Sequence, residues 1–525
     1  MTDSHRDAVP IADIPVISTR VLVVGAGPTG LMAALVLRRA GVDAVVIDRK
    51  SGPTRESRAV AVQARSMEIY DQLGLAQRIV DQSTLAASFQ AGTSAAAVAA
   101  GIERMQEADT EFPGLRVFEQ SRNEALLSET LVAERAPVRW KHELVSLLSG
   151  TRDADAGAEA LVAGPSGLIR IAADWCIGAD GSRSAVRGMT GAAFDGVTDE
   201  GAFWVADTRV TEGLVPGIAA VRMGKKLLTL AFPMSSDGDF RLVGLRTAEM
   251  TTDAEVRDRL RREFGIELEA MRWFSTYRIH HRVASEFRTG RVFLAGDAAH
   301  VHSPVGGQGM NTGLQDAHNL ACLLADVTQG RVGAAALDRY EAERRPVALT
   351  LVNVTDRFFG VIGRADSRVA LVRRAAVLTV FPIAARLSGT RLGARLGGYL
   401  GQYRIRYRFA GGRSWPPPSR VLCRPPAWAA EAVVGLRLPP VGDNHVPLRN
   451  FAWQLHTYGT QVPRPTVPDW IDGPHEFPAD PRGRLRDDHL YLIRPDGFVA
   501  AAVPIVRSRA SVSVLAAALH AHHIA

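Results

Sequence analysis

One stretch near the N-terminus restricts the fold more than any other part of the chain. Residues 19–24 form a short β-branched apolar run that leads directly into Gly25-Ala26-Gly27-Pro28-Thr29-Gly30. Residues 31–39 then carry apolar side chains at helical spacing, and Gly41 ends them. A second apolar run, 44–47, finishes on Asp48, with Arg49 following. A strand, a G-x-G-x-x-G turn, a helix and a second strand closed by an acid make a complete β-α-β unit of the kind that holds a dinucleotide. Each glycine has its own task. Gly25 permits the tight turn, Gly27 lets the backbone approach a pyrophosphate, and Gly30 lets helix and strand pack closely. The helix N-terminus, opened by Pro28 and Thr29, directs unpaired amides and partial positive charge at the same anion. An acid at 48, rather than an arginine, favours FAD or NAD over a ligand with a 2′-phosphate there. The motif does not choose between FAD and NAD.

A chain of 525 residues exceeds one compact core, so several domains are expected. Its apolar fraction of 46% and charged fraction of 22% are ordinary for a globular protein and exclude a disordered or fibrous chain. The first 17 residues are polar, without the apolar core of a secretory signal. The longest suspicious apolar run, 375–385, contains Pro382 and lies between Arg374 and Arg386. It is far short of the roughly 20 residues a membrane helix needs, so a cytoplasmic protein without membrane association is expected. The three cysteines, Cys176, Cys322 and Cys423, have no close spacing, which excludes a disulfide framework or a zinc site and leaves them as core residues. The net charge of +7 comes without lysine-rich runs or a base-reading module, so no nucleic-acid partner is expected. Much of the excess is local. Between residues 361 and 425 thirteen arginines face one acid, Asp366, a solvated surface or a rim that attracts an anionic cofactor.

Further along, 91–100 is alanine-rich and reads as a loop or helix edge, while 202–245 alternates strand-like segments with turns, a β-rich layer inserted between two cofactor-binding portions. On that layer Phe203, Trp204, Arg222, Met223, Phe232 and Pro233 are the residues that could meet a substrate. Residues 313–325 and 335–356 read as helices. Pro416-Pro417-Pro418 marks a boundary, and the tail beyond it has strand signals at 489–493 and 498–503 around Pro495-Asp496-Gly497. No internal repeat occurs.

A second constellation narrows the choice of cofactor. Arg291-Val292-Phe293-Leu294-Ala295-Gly296-Asp297-Ala298-Ala299-His300 is followed by Pro304, then Gly306-Gly307-Gln308-Gly309-Met310-Asn311-Thr312-Gly313, then Asp316. This is a buried strand, an acid at its tip and a glycine-rich loop that opens a helix. Such an acid can accept hydrogen bonds from a sugar-alcohol chain, and such a loop can lay its amides against a flat anionic ring. With Ser57-Arg58-Ala59, Gln120 and Glu124, the run Gly178-Ala179-Asp180-Gly181-Ser182-Arg183, Tyr277-Arg278-Ile279-His280-His281-Arg282, and Tyr340-Glu341-Ala342-Glu343-Arg344-Arg345-Pro346, these motifs come in the order of a known family. From about residue 21 to 348 the chain resembles the single-component FAD-dependent aromatic hydroxylases with the para-hydroxybenzoate hydroxylase fold. It looks closest to the phenol, hydroxyphenylpropionate and aromatic-polyketide hydroxylases.

The resemblance implies an α/β fold: a Rossmann-like FAD-binding domain with an inserted β-sheet substrate domain and a C-terminal thioredoxin-like domain. The expected boundaries are 18–190 and 280–360 for the two parts of the FAD-binding domain, 191–279 for the substrate layer, 361–415 for a basic helical connector and 416–525 for the tail. The tail signature is Leu490-Tyr491-Leu492-Ile493-Arg494-Pro495-Asp496-Gly497, and the tail lacks C-x-x-C, so a structural or dimer-supporting role is expected of it. By the same resemblance Asp297 would bind the ribityl chain of FAD, and Gly307, Gly309, Met310 and Asn311 would lie against the pyrimidine edge of the flavin. Arg58 and Gln120 would contact its phosphates or ribose, and Asp180 with Gly181 would serve FAD and NAD(P)H. Pro304 would lie on the substrate side of the ring, so that Pro304, Gly307 and Asn311 form the reactive locus. His280 and His281 are more readily structural than parts of a proton relay.

The implied activity is hydroxylation of an aromatic substrate with NADPH or NADH and O2, through a flavin C4a-hydroperoxide kept from water in a closed apolar pocket. Epoxidation, oxidative ring cleavage or drug inactivation on the same fold is the alternative. No second G-x-G-x-x-G has the right flanks, so the nicotinamide cofactor would bind transiently, and the basic segment favours NADPH slightly. No halogenase W-x-W-x-I-P segment is present. A monomer or homodimer is expected.

Overall fold

The computed structural model describes residues 10–55, 59–92, 97–151, 157–224, 228–246, 252–302, 307–362, 385–407, 430–505 and 509–524. The N-terminal reading holds in detail. Strand β1 (Val16–Val24) pairs in parallel with β2 (Ala44–Asp48) and, on its other edge, with the strand Gly167–Gly178. Helix α1 (Pro28–Arg39) connects β1 to β2 and buries Leu31 to Leu37 against the sheet. The parallel core of this sheet continues through Val292–Leu294, so the chain returns to it after the long insertion. Gly25 has φ of 105°, and a Cβ there would run into the backbone of Ala179 and Asp180. Only glycine lets β1 end against the neighbouring strand tip.

A second sheet, eight-stranded among the described residues, stands across from the tips of the first. Its order is His300–Val301, Glu267–Ala284, Phe194–Glu212, Asp239–Arg246, Leu228–Pro233, Ala219–Met223, Ser88–Gly92 and Ala97–Gly101. Two expectations change here. Within the alanine-rich stretch 91–100, expected as a loop or helix edge, the described residues end the strand Ser88–Gly92 and begin the edge strand Ala97–Gly101. The strand Glu267–Ala284 also runs across the boundary expected at 279/280, so the layer is continuous with the segment that returns to the first sheet.

Strand alternation gives this sheet two unlike faces. Trp204, Ala206, Ala220, Ala231, Phe240 and Leu242 face the helix Asp253–Phe264 and form a core with its Val256, Leu260 and Phe264. That helix is well specified locally, by a capping box of Thr252 and Glu255 and by Gly265 at its C-terminus. The opposite face carries Phe203, Val205, Val221, Leu230 and Val243, with Phe232, Trp273 and Tyr277 partly buried beside them.

The glycine-loop helix runs Gln308–Thr328, starting earlier than the apolar periodicity indicates because its first turn is glycine-rich and polar. Asp338–Ile362 is the next long helix. The C-terminal region forms a four-stranded sheet in the order Asp472–Phe477, Gln454–Tyr458, His489–Ile493, Val499–Pro504. It docks on both of these helices through buried polar contacts. Trp453 Nε1 donates to Asp326 at 2.7 Å, and Arg494 pairs with both Glu343 (2.7 Å) and Asp496. The basic run and the proline triplet lie mostly outside the described residues, as does Cys423. Cys176 and Cys322 are buried, and burial pushes both thiols up, as expected of inert core residues.

Candidate functional site

Between the tips of the first sheet and the outer face of the second lies a cavity of about 610 Å³. One wall is backbone-rich. It consists of Gly27, Pro28 and Thr29 at the start of α1, Ala179, Gly181 and Ser182, the turn bearing Asp297, and Gly307, Gly309 and Met310. The facing wall is aromatic and apolar, with Phe232, Val243, Trp273 and Tyr277, and carries Ser275 and His280. Gln120 and His302 complete the margin.

The three N-terminal glycines divide their work as the sequence suggests. A Cβ at Gly27 would meet nothing within 4 Å, so the backbone there is open to the cavity. A Cβ at Gly30 would collide with the Gly25 carbonyl, so this position serves the turn–helix contact. Thr29 reaches toward Gly296 and Gly313, which ties the start of α1 to the glycine-loop helix. Gly307, at φ of 63°, is a left-handed N-cap without a side chain to occupy the first amides of its helix.

Asp297 is exposed in a short 3-10 turn whose neighbours Gly296 and Ala298 are buried. Behind it, Asp316 is fully buried and spans the turn. Its Oδ2 accepts from the Gly296 amide at 3.2 Å and lies 2.6 Å from His300 Nε2, while its Oδ1 accepts from Arg344 Nε at 2.6 Å. Burial pushes the Asp316 carboxyl up, but Arg344 and His300 outweigh that and hold it below its ordinary value.

Several expected site residues have other duties. Asn311, expected at the reactive locus, is fully buried: its Oδ1 accepts from the Gln63 amide (2.8 Å) and Ser66 Oγ (2.7 Å), and its Nδ2 donates to the carbonyls of Ala61 (2.8 Å) and Gly307 (2.6 Å). With all its capacity used, it staples the loop rather than meeting a reactant. Asp180 accepts from Ser184 Oγ and from the Ala185 and Val186 amides, capping the helix Ala185–Thr190. Its neighbours Gly181 and Ser182, not its carboxylate, form the wall. Asp48 is 8% exposed and accepts from the Ala26 and Lys50 amides, at 2.7 and 2.8 Å. Arg49 is 75% exposed, 3.9 Å from Glu143, and away from the cavity. Arg58 and Pro304 lie outside the described residues.

Of the six residues expected to meet a substrate on the second sheet, only Phe232 lines the cavity; Phe203 and Met223 pack in the apolar cluster on the same face. Trp204 is fully buried on the helix-covered face. Arg222 lies on that side too, donating to Gln90 and the Gly213 carbonyl at 3.3 Å, and burial lowers its pKa. Pro233 follows Phe232 and by alternation turns away from the cavity, where it is buried. Trp273, Ser275 and Tyr277 were missed. Alternation counted from Tyr277 would have found all three. His280 lines the cavity, whereas His281 is buried.

Residues 18–355 match a family model described as the FAD binding domain. The chain belongs to this FAD binding domain family. A 6-methylpretetramide 4-monooxygenase from Streptomyces rimosus is 35% identical over 383 residues, 71% of this chain and 65% of that protein, just under two thirds of its length. A rifampicin monooxygenase from Streptomyces venezuelae is 35% identical over 69% of this chain and 75% of its own. The solved structure of an anhydrotetracycline hydroxylase from Streptomyces rimosus superposes with a TM-score of 0.75 at 28% identity, covering 97% of this chain and 100% of that one.

The cavity suits the cofactor of the family. Gly27 leaves room for an anion against the open amides of α1, Asp297 offers a carboxylate to hydroxyls, and the loop from Gly307 to Met310 offers a flat backbone surface. The space is in the range that buries a large ligand, about 300–1,000 Å³. No helix of the described residues is long and apolar enough to cross a membrane.

Proposed function

We infer that this chain is an FAD-dependent monooxygenase that uses NAD(P)H and O2 to hydroxylate an aromatic substrate, phenolic or polyketide-like. The observation that carries the reading is the cavity itself: glycine loops and Asp297 on one wall face Phe232, Trp273 and Tyr277 on the other. Such a space holds a flat cofactor and a flat substrate against each other.

The amides of Gly27, Thr29 and Gly30 would hold the pyrophosphate of FAD, Pro28 having no N–H to give, Asp297 would hold its ribityl hydroxyls, and Gly307, Gly309 and Met310 would lie along the edge of its ring. Gln120 lies at the margin, where its Nε2 donates to Glu124 at 2.9 Å. Each Asp48 oxygen keeps a second lone pair after its backbone bond, enough for a ribose hydroxyl. Once bound, FAD supplies the redox chemistry that activates dioxygen. The protein supplies position and exclusion. The N-terminus of the helix Gln308–Thr328 favours negative charge beside it by about 0.3–1 kcal/mol, up to about 2 where buried. The aromatic wall stacks the substrate ring and keeps water out.

The second sheet acts as the substrate layer, and NAD(P)H binds transiently. The C-terminal sheet belongs to a thioredoxin-like domain without a dithiol, whose role is structural. The protein works in the cytoplasm as a monomer or homodimer.

The test is an absorbance spectrum of the purified protein, then NADPH and NADH oxidation with and without a panel of phenols and polycyclic phenols. Flavin bands and phenol-stimulated oxidation with a hydroxylated product are expected. A rifamycin belongs on the panel because one relative is a rifampicin monooxygenase. Stimulation by the drug alone would move the activity to drug oxidation, and failure to take up FAD would overturn the reading.

A further inference from the structure

Three rings form a stack that runs from the core to the cavity wall. Phe287 lies at 5.9 Å and 23° from His300, and His300 at 6.4 Å and 13° from His302. Phe287 and His300 are buried, and His302 lines the cavity beside Gly309, whose Cβ position lies 3.7 Å from its ring. His300 cannot turn freely. Its Nε2 is held by Asp316 at 2.6 Å, and Asp316 is held in turn by Arg344, which also donates to Tyr407 Oη at 3.0 Å. A buried, anchored imidazole therefore lies nearly parallel to a second imidazole that lines the cavity, its Nε2 sheltered from solvent.

We propose that His302 is a catalytic residue that takes the proton from the substrate's aromatic hydroxyl, with the His300–Asp316–Arg344 set as its positioning group. This deepens the monooxygenase reading and rests on it. In the step, the substrate O–H bond breaks, its electron pair stays on oxygen, and an N–H bond forms on the His302 imidazole. The product is a phenolate, a ring richer in electrons than the phenol and so a better target for an electrophilic oxygen. Imidazole suits the task because its ordinary pKa of about 6.5 lies near neutral pH. The charged and titratable groups around this ring are Asp297 from the adjacent turn, Asp316 and Arg344 behind His300, Arg282 from the paired strand, and Tyr277 and His280 from the facing wall.

The experiment uses the FAD-loaded enzyme, its His302→Gln variant and 1-naphthol as probe, read in two ways. Bound 1-naphthol is titrated by its absorbance, which differs between naphthol and naphtholate. In the wild type it should ionise at least about one pH unit below the free probe, and the variant should lose that shift. Naphthol-stimulated NADPH oxidation at pH 7 should fall about 100-fold in the variant and recover as the pH approaches that of free naphthol ionisation. FAD affinity should stay within about threefold. A variant with an unchanged ionisation shift and pH profile would overturn the role of His302 while leaving the monooxygenase reading intact. Wild-type protein that is stimulated by phenols of the panel but shifts the ionisation of none of them would likewise overturn the role of His302, whereas protein that takes up FAD and responds to no phenol would overturn the hydroxylase reading itself.

Discussion

On one wall of the cavity Gly27 and Gly307 act through backbone, and Gly25 and Gly30 shape the turn behind it, each because a side chain would block a turn, a ligand or a neighbouring strand. On the other wall Phe232, Trp273 and Tyr277 act through side chains, and what selects them is which face of a sheet they occupy. The difference is one of tolerance. A backbone-built wall admits one residue type per position, whereas a side-chain wall can be repapered with other apolar residues without loss of fold. The cofactor wall should therefore fail abruptly under substitution and the substrate wall by degrees.

The largest effect is expected at Gly30. Gly30→Ala puts a methyl group against the Gly25 carbonyl oxygen, with the Gly25 carbonyl carbon at 3.0 Å, and neither can move without opening the first turn. Overpacking of this kind costs up to about 3 kcal/mol, and the turn it distorts is the one that offers amides to the cofactor. The variant should lose FAD and unfold at lower temperature. Gly27→Ala is its counterpart, since a Cβ there meets no protein atom. It should keep the melting temperature of the FAD-free protein and bind FAD about tenfold more weakly. Equal losses of stability in both variants, by thermal denaturation without FAD, would remove the distinction between turn and ligand glycines.

Asp297 comes next, as the side chain on the cofactor wall that stands out as an exposed acid between buried neighbours. Hydrogen bonds to a charged group contribute about 1.5–3 kcal/mol, so Asp297→Ala should weaken FAD binding by about 10- to 100-fold. Fluorescence titration measures this directly. An affinity equal to the wild type would remove Asp297 from the site.

The same contrast explains what could be read before the structure. Gly25, Gly27, Gly30 and Asp48 lie within one short β-α-β unit, and their spacing is dictated by a single turn, so local sequence suffices. Asp297 and the Gly307 loop were picked out by the order of motifs that resembles a known family, and both line the cavity. The substrate wall brings Phe232 together with Trp273 and Tyr277, 41 and 45 residues further on, and its membership depends on a two-residue period that slips by one wherever a strand bulges, as the pairing of Phe194–Glu212 with Glu267–Ala284 does. Trp204 and Arg222 were assigned one residue off the correct face. Asn311 misled differently. A polar residue in a glycine loop can serve a ligand or the loop itself, and only its four hydrogen bonds decide for the loop.

That error can be turned into a smaller test of the substrate wall. Trp204→Leu should cost about 2 kcal/mol of stability and leave KM for the aromatic substrate unchanged, because Trp204 touches the helix Asp253–Phe264 side only. Phe232→Leu should do the reverse. Loss of one aromatic stacking partner is worth about 0.5–1.5 kcal/mol, so KM should rise about three- to tenfold with little change in melting temperature. A raised KM in the Trp204 variant, measured under conditions where it stays folded, would put the cavity on the wrong face of the sheet.

The smallest effect lies at the far end of the helix that starts at the cofactor wall. Gln308–Thr328 presents its N-terminus to the cavity and carries Asp326 in its last turn, under the C-terminal sheet. Burial pushes the Asp326 carboxyl up to about 6, against the pull of the Trp453 hydrogen bond and Arg331. A carboxyl raised above its unfolded value binds its proton more tightly in the folded state. Its burial is therefore harmless below about pH 4, and the folded state loses stability as the pH rises from about 4 to about 6. Asp326→Asn keeps an acceptor for Trp453 Nε1–H and removes the charge, so its melting temperature should stay level across that window while the wild type falls. FAD affinity should be the same in both, because the cavity proposed to hold the cofactor lies at the other end of the helix. If FAD affinity instead followed the state of Asp326, the C-terminal sheet would be setting the cofactor wall through the length of the helix, and the two walls would not be independent.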